Sequence, residues 1–243
     1  FVVGRYLHDA GIDVTIYFIG PSNKLSDDAL VNHARAVKAG GAVKELKSVN
    51  DIDPNLHCTH IIDAIFGTGF QGAPHGLAVE LIDYINQQNA CIISIDLPSG
   101  LNADNGRHEG AVVRADFTLT LALPKYGLYL SPGRELAGQV EVIPIGIPDD
   151  VIEKFKLPHR LITSEMVASK LPKRKPDGHK GDFGYLLIIA GSTGLTGAAE
   201  LTANSAMRSG CGMVRVACPS SVQPVLAAML TEIMTLPLPD VAK

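Results

Sequence analysis

The sequence predicts an α/β protein built on mostly parallel sheets that helices cover on both faces. Short apolar runs alternate along the chain with segments of helical spacing, and several of these runs end in glycine-rich turns. The composition agrees, because 46% hydrophobic and 19% charged residues with 24 glycines suit a chain with a packed core. The same figures exclude a disordered protein.

Charge, hydropathy and cysteine spacing exclude several function classes. A net charge of −4 gives no basic surplus to neutralise a phosphate backbone, so we expect no nucleic-acid partner. No apolar run reaches the roughly 18 residues that cross a bilayer, so we expect no membrane partner. Four cysteines without CxxC spacing, mostly in apolar stretches, predict buried free thiols and a cytoplasmic protein: Cys58, Cys91, Cys211 and Cys218.

The first part of the chain alternates between predicted helices and strands. Helical spacing and glycine stops predict helices over Val2–Ala10, Leu25–Ala39 and Gly76–Gln87. Apolar runs predict strands over Asp13–Ile19, Val43–Leu46, Cys58–Ile65, Ala90–Ile95, Phe117–Leu123 and Gln139–Ile143.

The pattern changes after Pro148, and we divide the chain into domains 1–155 and 156–243. The second region predicts helices over Ser164–Leu171, Gly197–Ser209 and Ser220–Met229, and buried strands over Tyr185–Ala190 and Gly212–Ala217. Two strands would hardly enclose a doubly covered sheet. The chain also starts inside a periodic apolar pattern, so we expect it to come from a longer protein.

The segment Ile61–Gly72 leads from a strand through a glycine-rich turn towards a helix. Gly67, Gly69 and Gly72 let the backbone approach a ligand closely, and the helix N-terminus suits phosphate. The carboxylate of Asp63 would repel that phosphate unless a cation or a proton lies between them, and a bound metal cation would resolve the conflict. Alternatively, Asp63 caps the turn and the glycines only shape a loop.

Two further strand ends carry polar residues. Asp96 follows the next strand, and Ser99 offers a hydroxyl and a carbonyl oxygen of the kind that alkali and alkaline-earth cations take. Lys125 follows a third strand, where it could neutralise a substrate anion or, opposite Asp96, act in proton transfer. The alternative is that Asp96 and Ser99 satisfy backbone amides in a tight turn and that Lys125 is a solvated surface group.

The second domain repeats the order of strand, glycine-rich loop and helix. His179–Gly184 opens onto a strand, and Gly191–Ala199 follows that strand. The loop lacks the Lys-Ser/Thr ending of a P-loop and the GxGxxG order, so it predicts only nucleotide-like or phosphate-like binding. Its small residues equally permit close packing of a helix on a sheet. The eight histidines have no zinc-site spacing.

At these motifs the sequence resembles the bifunctional NAD(P)H-hydrate repair enzymes. That family joins an NAD(P)H-hydrate epimerase domain to an ADP- or ATP-dependent dehydratase domain of ribokinase-like fold. The matching motifs occur in the family's order over the whole chain: Asp63–Gly69, Ile95–Gly100, Pro124–Leu128 and His179–Gly184. The resemblance implies a Rossmann-like three-layer epimerase domain over 1–155, followed by the start of a ribokinase-like α/β domain over 156–243.

The resemblance also implies roles for individual residues. Asp63 and Ser99 would ligate a potassium ion, and Asp96, which we pair with Lys125 as catalytic, would contact the reacting nicotinamide hydrate. The residues expected to bind the substrate are Gly67, Thr68, Gly69, Phe70, Gln71, Gly72, Ala73, Asp96 and, in the second domain, Ala199. The expected cofactors are potassium and ADP or ATP, with Mg²⁺ as a further candidate; the expected partner is NAD(P)H hydrate, and a homo-oligomer is left open.

The sequence departs from the family in two places. An asparagine- and glycine-rich phosphate loop with a potassium-ligating asparagine would precede Phe1, and a glycine-aspartate nucleotide motif would follow Lys243. Two other readings compete with the resemblance. A nicotinamide- or flavin-dependent oxidoreductase would need a GxGxxG turn and an acid about 20 residues later. A non-catalytic nucleotide- or partner-binding module would bury Asp63, Asp96 and Ser99 in hydrogen bonds with the backbone, whereas an enzyme would expose them around one cleft.

Overall fold

The computed structural model describes residues 1–20, 25–54, 56–174 and 176–240. The chain divides into two compact units, Phe1–Leu161 and Ile162–Lys243. The strand pairs recorded in both units are parallel, which confirms the predicted α/β class. The predicted helices and strands are found with bounds within three residues of those expected.

The first unit alternates helices and strands in chain order. Its helices are α1 (Val2–Asp9), α2 (Asp27–Lys38), α3 (Leu77–Gln87), α4 (Gly133–Ala137) and α5 (Asp149–Lys154). Its strands are β1 (Thr15–Ile19), β2 (Ala42–Leu46), β3 (His60–Asp63), β4 (Cys91–Ile95), β5 (Phe117–Leu121) and β6 (Gln139–Ile143). Within the described ranges, β1 pairs with β2, and the other four strands form a sheet in the order β3-β4-β5-β6.

The parallel register places the ends of β3, β4 and β5 at one edge of this sheet. Asp63 lies opposite Ser94, and Ile95 lies opposite Leu119. Helix α3 packs on the sheet through Ile82, which is completely buried in a cluster with residues of β4 and of the segment before β5. In open parallel sheets such a carboxyl edge is where ligands bind.

The second unit contains α6 (Ser164–Lys170), β7 (Tyr185–Ile189), α7 (Gly197–Arg208), β8 (Met213–Pro219), α8 (Gln223–Met229) and β9 (Met234–Leu238). The described strands form a parallel sheet in the order β7-β8-β9. Ile188, Val216 and Leu226 belong to a core that α7 and α8 build with the sheet.

The prediction that β7 is a buried strand is wrong for the described part of the protein. Four of its five residues are exposed, including Tyr185 at 72% and Ile189 at 74%. An apolar run in the sequence shows that a strand has side chains suited to burial. Whether they are buried depends on the elements that pack against the two faces of the strand. In the described unit, only the Ile188 side of β7 joins the core.

The cysteines and the lengths of the helices can also be compared with the sequence predictions. The four cysteines are free, as predicted, but Cys218 alone is buried and the other three are partly exposed. No helix among the described residues is long and apolar enough to cross a membrane.

Candidate active site

Asp63, the last residue of β3, is a buried carboxyl surrounded by hydrogen-bond donors. Its side chain is only 1% exposed. Oδ2 accepts hydrogen bonds from the Ser94 hydroxyl at 2.7 Å and the Ser99 N–H at 2.8 Å. Oδ1 accepts from the Ser99 hydroxyl at 2.5 Å and the Ile65 N–H at 3.3 Å. Burial raises the pKa of Asp63, and these hydrogen bonds oppose the rise without cancelling it.

The surroundings of Asp63 offer a hard cation a negative charge and oxygen ligands. Among the described residues no Lys, Arg or His forms an ion pair with this carboxyl. A buried carboxylate without a positive partner is costly, and a bound cation would lower that cost. Asp63 and Ser99 supply oxygen atoms, which potassium and other hard cations take. No cluster of three or more His, Cys, Asp or Glu able to hold a metal is found in the described part of the chain.

Asp96 and Lys125 form an ion pair at the same edge of the sheet. Lys125 Nζ lies 2.5 Å from Asp96 Oδ1 and donates a second hydrogen bond to the Leu121 carbonyl at 2.5 Å. The Leu121 N–H also donates to Asp96 Oδ1, at 3.1 Å. The two side chains remain 16% and 17% exposed, so solvent or a ligand reaches them. Oδ2 has no hydrogen-bond partner among the described residues.

The strands that precede Asp96 and Lys125, β4 and β5, are each followed by a strained turn of the same type. Asp96 has a φ of 72°, and the Leu97 N–H donates to the Ile95 carbonyl across it. Ala122 has a φ of 64°, and the Leu123 N–H donates to the Leu121 carbonyl. A hydrogen bond that spans one residue of positive φ defines the γ-turn, which is rare and strained. Such strain concentrates at functional sites, where the surrounding structure enforces it.

The glycine-rich loop Gly67–Ala73 lies between these two groups. The Phe66 N–H, just before the loop, donates to the Ser99 hydroxyl at 2.9 Å. A Cβ built on Gly67 would lie 3.7 Å from Asp96 Oδ2, so the loop begins beside that oxygen. Most of the loop is open to solvent: Gly67, Thr68, Gly69, Gln71 and Gly72 are exposed, and Phe70 and Ala73 are half-buried.

The structure therefore brings together the predicted residues of the first unit but divides them by environment. Asp63 and Ser99 are buried in mutual hydrogen bonds, as the binding-module alternative expects. Asp96 and Lys125 are partly exposed, as the enzyme reading expects. Ala199 lies in the second unit with its side chain completely buried in the core, and its role in binding stays a prediction.

Sequence reasoning assigned no role to three groups that complete the site. These are the Ser94 hydroxyl, the Phe66 N–H and the Leu121 carbonyl. Ser94 carried a usable signal, since a serine inside an apolar strand and two residues before Asp96 must find a buried partner. Two surface cavities of about 230 and 580 Å³ lie at the opposite edge of the sheet and contain no predicted site residue.

Comparison with known proteins gives consistent matches over most of the chain. A family model described as YjeF-related protein N-terminus matches residues 1–127, and a model described as NAD(P)H-hydrate dehydratase matches residues 186–243. A bifunctional NAD(P)H-hydrate repair enzyme of Moorella thermoacetica is 40% identical, covering 98% of this chain and 46% of the relative. The enzyme of the same name from Escherichia coli is 34% identical, covering 94% of this chain and 44% of the relative.

The chain thus spans less than half the length of these curated relatives. One solved structure, described as yeast ynu0, YNL200c, has a TM-score of 0.52 at 19% identity. It covers 68% of this chain and 69% of the yeast chain. That likeness supports the α/β fold.

Proposed function

The chain belongs to the family of the YjeF-related protein N-terminus, and from this we propose that its first unit epimerises NAD(P)H hydrate. The relatives matched over nearly the whole chain are named as bifunctional NAD(P)H-hydrate repair enzymes. The proposed reaction interconverts the R and S forms of the hydrate at one ring carbon.

The arrangement of Asp96 carries this proposal. Its Oδ1 is held by the Lys125 ammonium and the Leu121 N–H, which fixes the plane of the carboxyl. Its Oδ2 remains without a partner among the described residues and lies beside Gly67 at the start of the glycine-rich loop. A carboxyl oriented through one oxygen and open at the other is suited to exchange a proton with a ligand in that loop. Lys125 has three N–H donors, of which two are engaged, so one remains for a substrate oxygen.

The hydrated nicotinamide ring carries a hydroxyl on a carbon beside the ring nitrogen. We assign to the Asp96–Lys125 pair the proton that this hydroxyl needs to leave as water, with the ring nitrogen stabilising the resulting cation. Water then adds to the opposite face of the ring, and the pair takes a proton back. The reaction has no net change in atoms or charge, so acid–base assistance and positioning suffice.

The loop and the buried carboxyl would hold the remainder of the substrate. Exposed glycines at Gly67, Gly69 and Gly72 let backbone N–H groups approach a pyrophosphate closely. Asp63 and Ser99 would hold the potassium ion, whose positive charge would offset the repulsion between a buried carboxylate and a nearby phosphate. Under this proposal the substrate phosphates bind along Gly67–Ala73, the range that the resemblance implies.

The second unit would contribute the first part of an ADP- or ATP-dependent dehydratase that returns the S hydrate to NAD(P)H. The support is the dehydratase model that matches residues 186–243 and the names of the relatives. Mg²⁺ would accompany the nucleotide phosphates, and Ala199 would lie near the hydrate. These assignments concern an activity of relatives that are about twice as long as this chain.

The test of the epimerase is substitution in the ion pair of the full-length protein. We expect Asp96→Asn to lower kcat for conversion of the R to the S hydrate by about 10²–10⁴-fold while KM changes little. Lys125→Met should also lower kcat. The matched control is Asp116→Asn, because Asp116 also accepts a backbone N–H bond, from Ile92, but lies at the other edge of the sheet.

Unchanged kcat in the Asp96 and Lys125 variants would remove the proposed catalytic pair. An equal loss in the Asp116 variant would indicate general damage to the fold. If the full-length protein binds the hydrate without converting it, the binding-module alternative is correct.

A further inference from the structure

The conformation of the glycine-rich loop depends on few contacts. Side chains added at Gly69 or Gly72 would meet nothing within 4 Å, so the described structure does not pack against the loop there. One turn is closed by the Phe70 N–H, which donates to the Gly67 carbonyl at 3.0 Å. Across this turn the rings of Phe66 and Phe70 stack with centroids 4.2 Å apart and planes inclined by 21°. The stacked pair is therefore a main constraint on the loop.

Phe66 also contacts the buried carboxyl site through its backbone. Its N–H donates to the Ser99 hydroxyl at 2.9 Å, and that hydroxyl donates to Asp63 Oδ1 at 2.5 Å. The hydroxyl is thus a donor to the carboxyl and an acceptor from Phe66 at once. A displacement of Ser99 would be transmitted to Phe66, and from its ring to Phe70.

We propose that Phe66 is a positioning residue that ties the glycine-rich loop to the buried Asp63–Ser99 site. Its amide is fixed by the Ser99 hydroxyl, and its ring holds Phe70 and with it the turn that begins beside Asp96. The inference rests on the proposed function, in which the loop binds substrate phosphates and Asp63 and Ser99 hold a cation. It adds that the state of the cation site sets the order of the loop through Phe66.

The stacked rings allow a test that removes neither the backbone N–H of Phe66 nor the carboxyl of Asp63. Phe66→Leu and Phe70→Leu each abolish the stack and keep the backbone N–H groups and the Asp63 carboxyl. Phe117→Leu is the control, because Phe117 is partly exposed at the start of β5, away from the carboxyl edge. An aromatic pair of this kind corresponds to roughly a 2- to 12-fold change in an equilibrium constant.

Two measurements on the full-length protein separate positioning from packing. We expect KM for the hydrate to rise about 2- to 12-fold in both loop variants, with kcat changing less. We also expect potassium chloride, compared with choline chloride, to slow amide hydrogen exchange in residues 67–73 of the wild type. This protection should be lost in Phe66→Leu and Phe70→Leu and retained in Phe117→Leu.

Wild-type KM and potassium-dependent protection in the Phe66 variant would overturn the proposal. Equal effects in all three variants would overturn it too, since they would reflect general loss of stability. Hydrogen exchange needs no turnover, so a wild-type protein that lacks epimerase activity would refute the proposed function while the exchange data still judge the role of Phe66.

Discussion

Asp63 and Asp96 are two carboxyl groups at neighbouring strand ends with opposite surroundings. Asp63 is buried, accepts four hydrogen bonds, and has no cationic side chain beside it in the described structure. Asp96 is partly exposed and forms an ion pair with Lys125. When two acids in one site differ in this way, each environment favours a different role. This difference supports our proposal that Asp63 holds a cation and Asp96 takes part in proton transfer.

At this scale we predict that Asp63→Asn weakens a potassium site without removing the acid–base pair. In the full-length protein the variant should lose epimerase activity, and higher potassium should partly restore it, because a neutral amide attracts a cation less than a carboxylate does. Asp96→Asn should show no such rescue. Potassium titrations of kcat and KM for both variants decide the matter, and an equal, potassium-independent loss in both would contradict separate roles.

The raised pKa of Asp63 adds a pH dependence to this prediction. In potassium-free buffer the folded state binds the Asp63 proton more tightly than the unfolded chain does. Its contribution to the free energy of unfolding is therefore fully present below the ordinary pKa of 3.8 and is lost as pH rises through the raised value. The difference in stability between wild type and Asp63→Asn should follow this course in denaturant titrations.

At the scale of elements, the strands that lead into the site could be predicted because their signals are local. Apolar runs that end in Asp63 and Asp96, and before Lys125, indicate parallel strands, and parallel strands bring their carboxyl ends to one edge. The γ-turns at Asp96 and Ala122 could not be predicted, since residues with Cβ atoms rarely adopt positive φ. The turn at Asp96 lies at the carboxyl group itself, and the turn at Ala122 begins the segment that leads to Lys125.

The missed elements have equally specific causes. Strand β9 contains Pro237, and a proline normally argues against a strand because it lacks the N–H of the ladder. It is tolerated here because β9 lies at the edge of the described sheet. Helices α4 and α5 have five and six residues, too few for a periodic pattern to stand out.

Substitution by alanine should affect stability differently at two glycines of the site motifs. Gly100 has a φ of 95°, and a Cβ there would meet the Ala111 carbonyl, so we expect Gly100→Ala to reduce stability by about 1–3 kcal/mol or more. Gly69 has open space around it, so Gly69→Ala should change stability by no more than about 0.5 kcal/mol. The added methyl should nevertheless raise KM, because it obstructs a phosphate that approaches the backbone.

Denaturant unfolding and steady-state kinetics of the full-length variants test this pair. A stable Gly100→Ala protein would show that the turn after Asp96 can rearrange. An unchanged KM in Gly69→Ala would show that the substrate does not approach the loop at that position.

For the whole molecule, the two units differ in how completely the described residues surround their sheets. In the first unit, α3 and α4 contribute buried side chains to the clusters around the four-stranded sheet. In the second unit, β7 exposes Tyr185, Leu187 and Ile189 although parallel strands are normally covered on both faces. The curated relatives that this chain matches are about twice its length.

The last prediction concerns the span of residues 1–243 expressed by itself, which we expect to show neither epimerase nor dehydratase activity appreciably. The curated relatives are about twice as long as this span, and each charged or hydrogen-bonding contact to phosphate that the span lacks would cost on the order of 1.5–3 kcal/mol. Affinity should therefore fall at least about tenfold per contact. In the second unit, the exposed apolar face of β7 should promote association of the isolated span. Assays of R-to-S conversion and of ATP-dependent return to NADH, run on the span and on the full-length protein, measure both activities. Turnover by the span equal to that of the full-length protein in either assay would mean that the corresponding site is complete within these 243 residues.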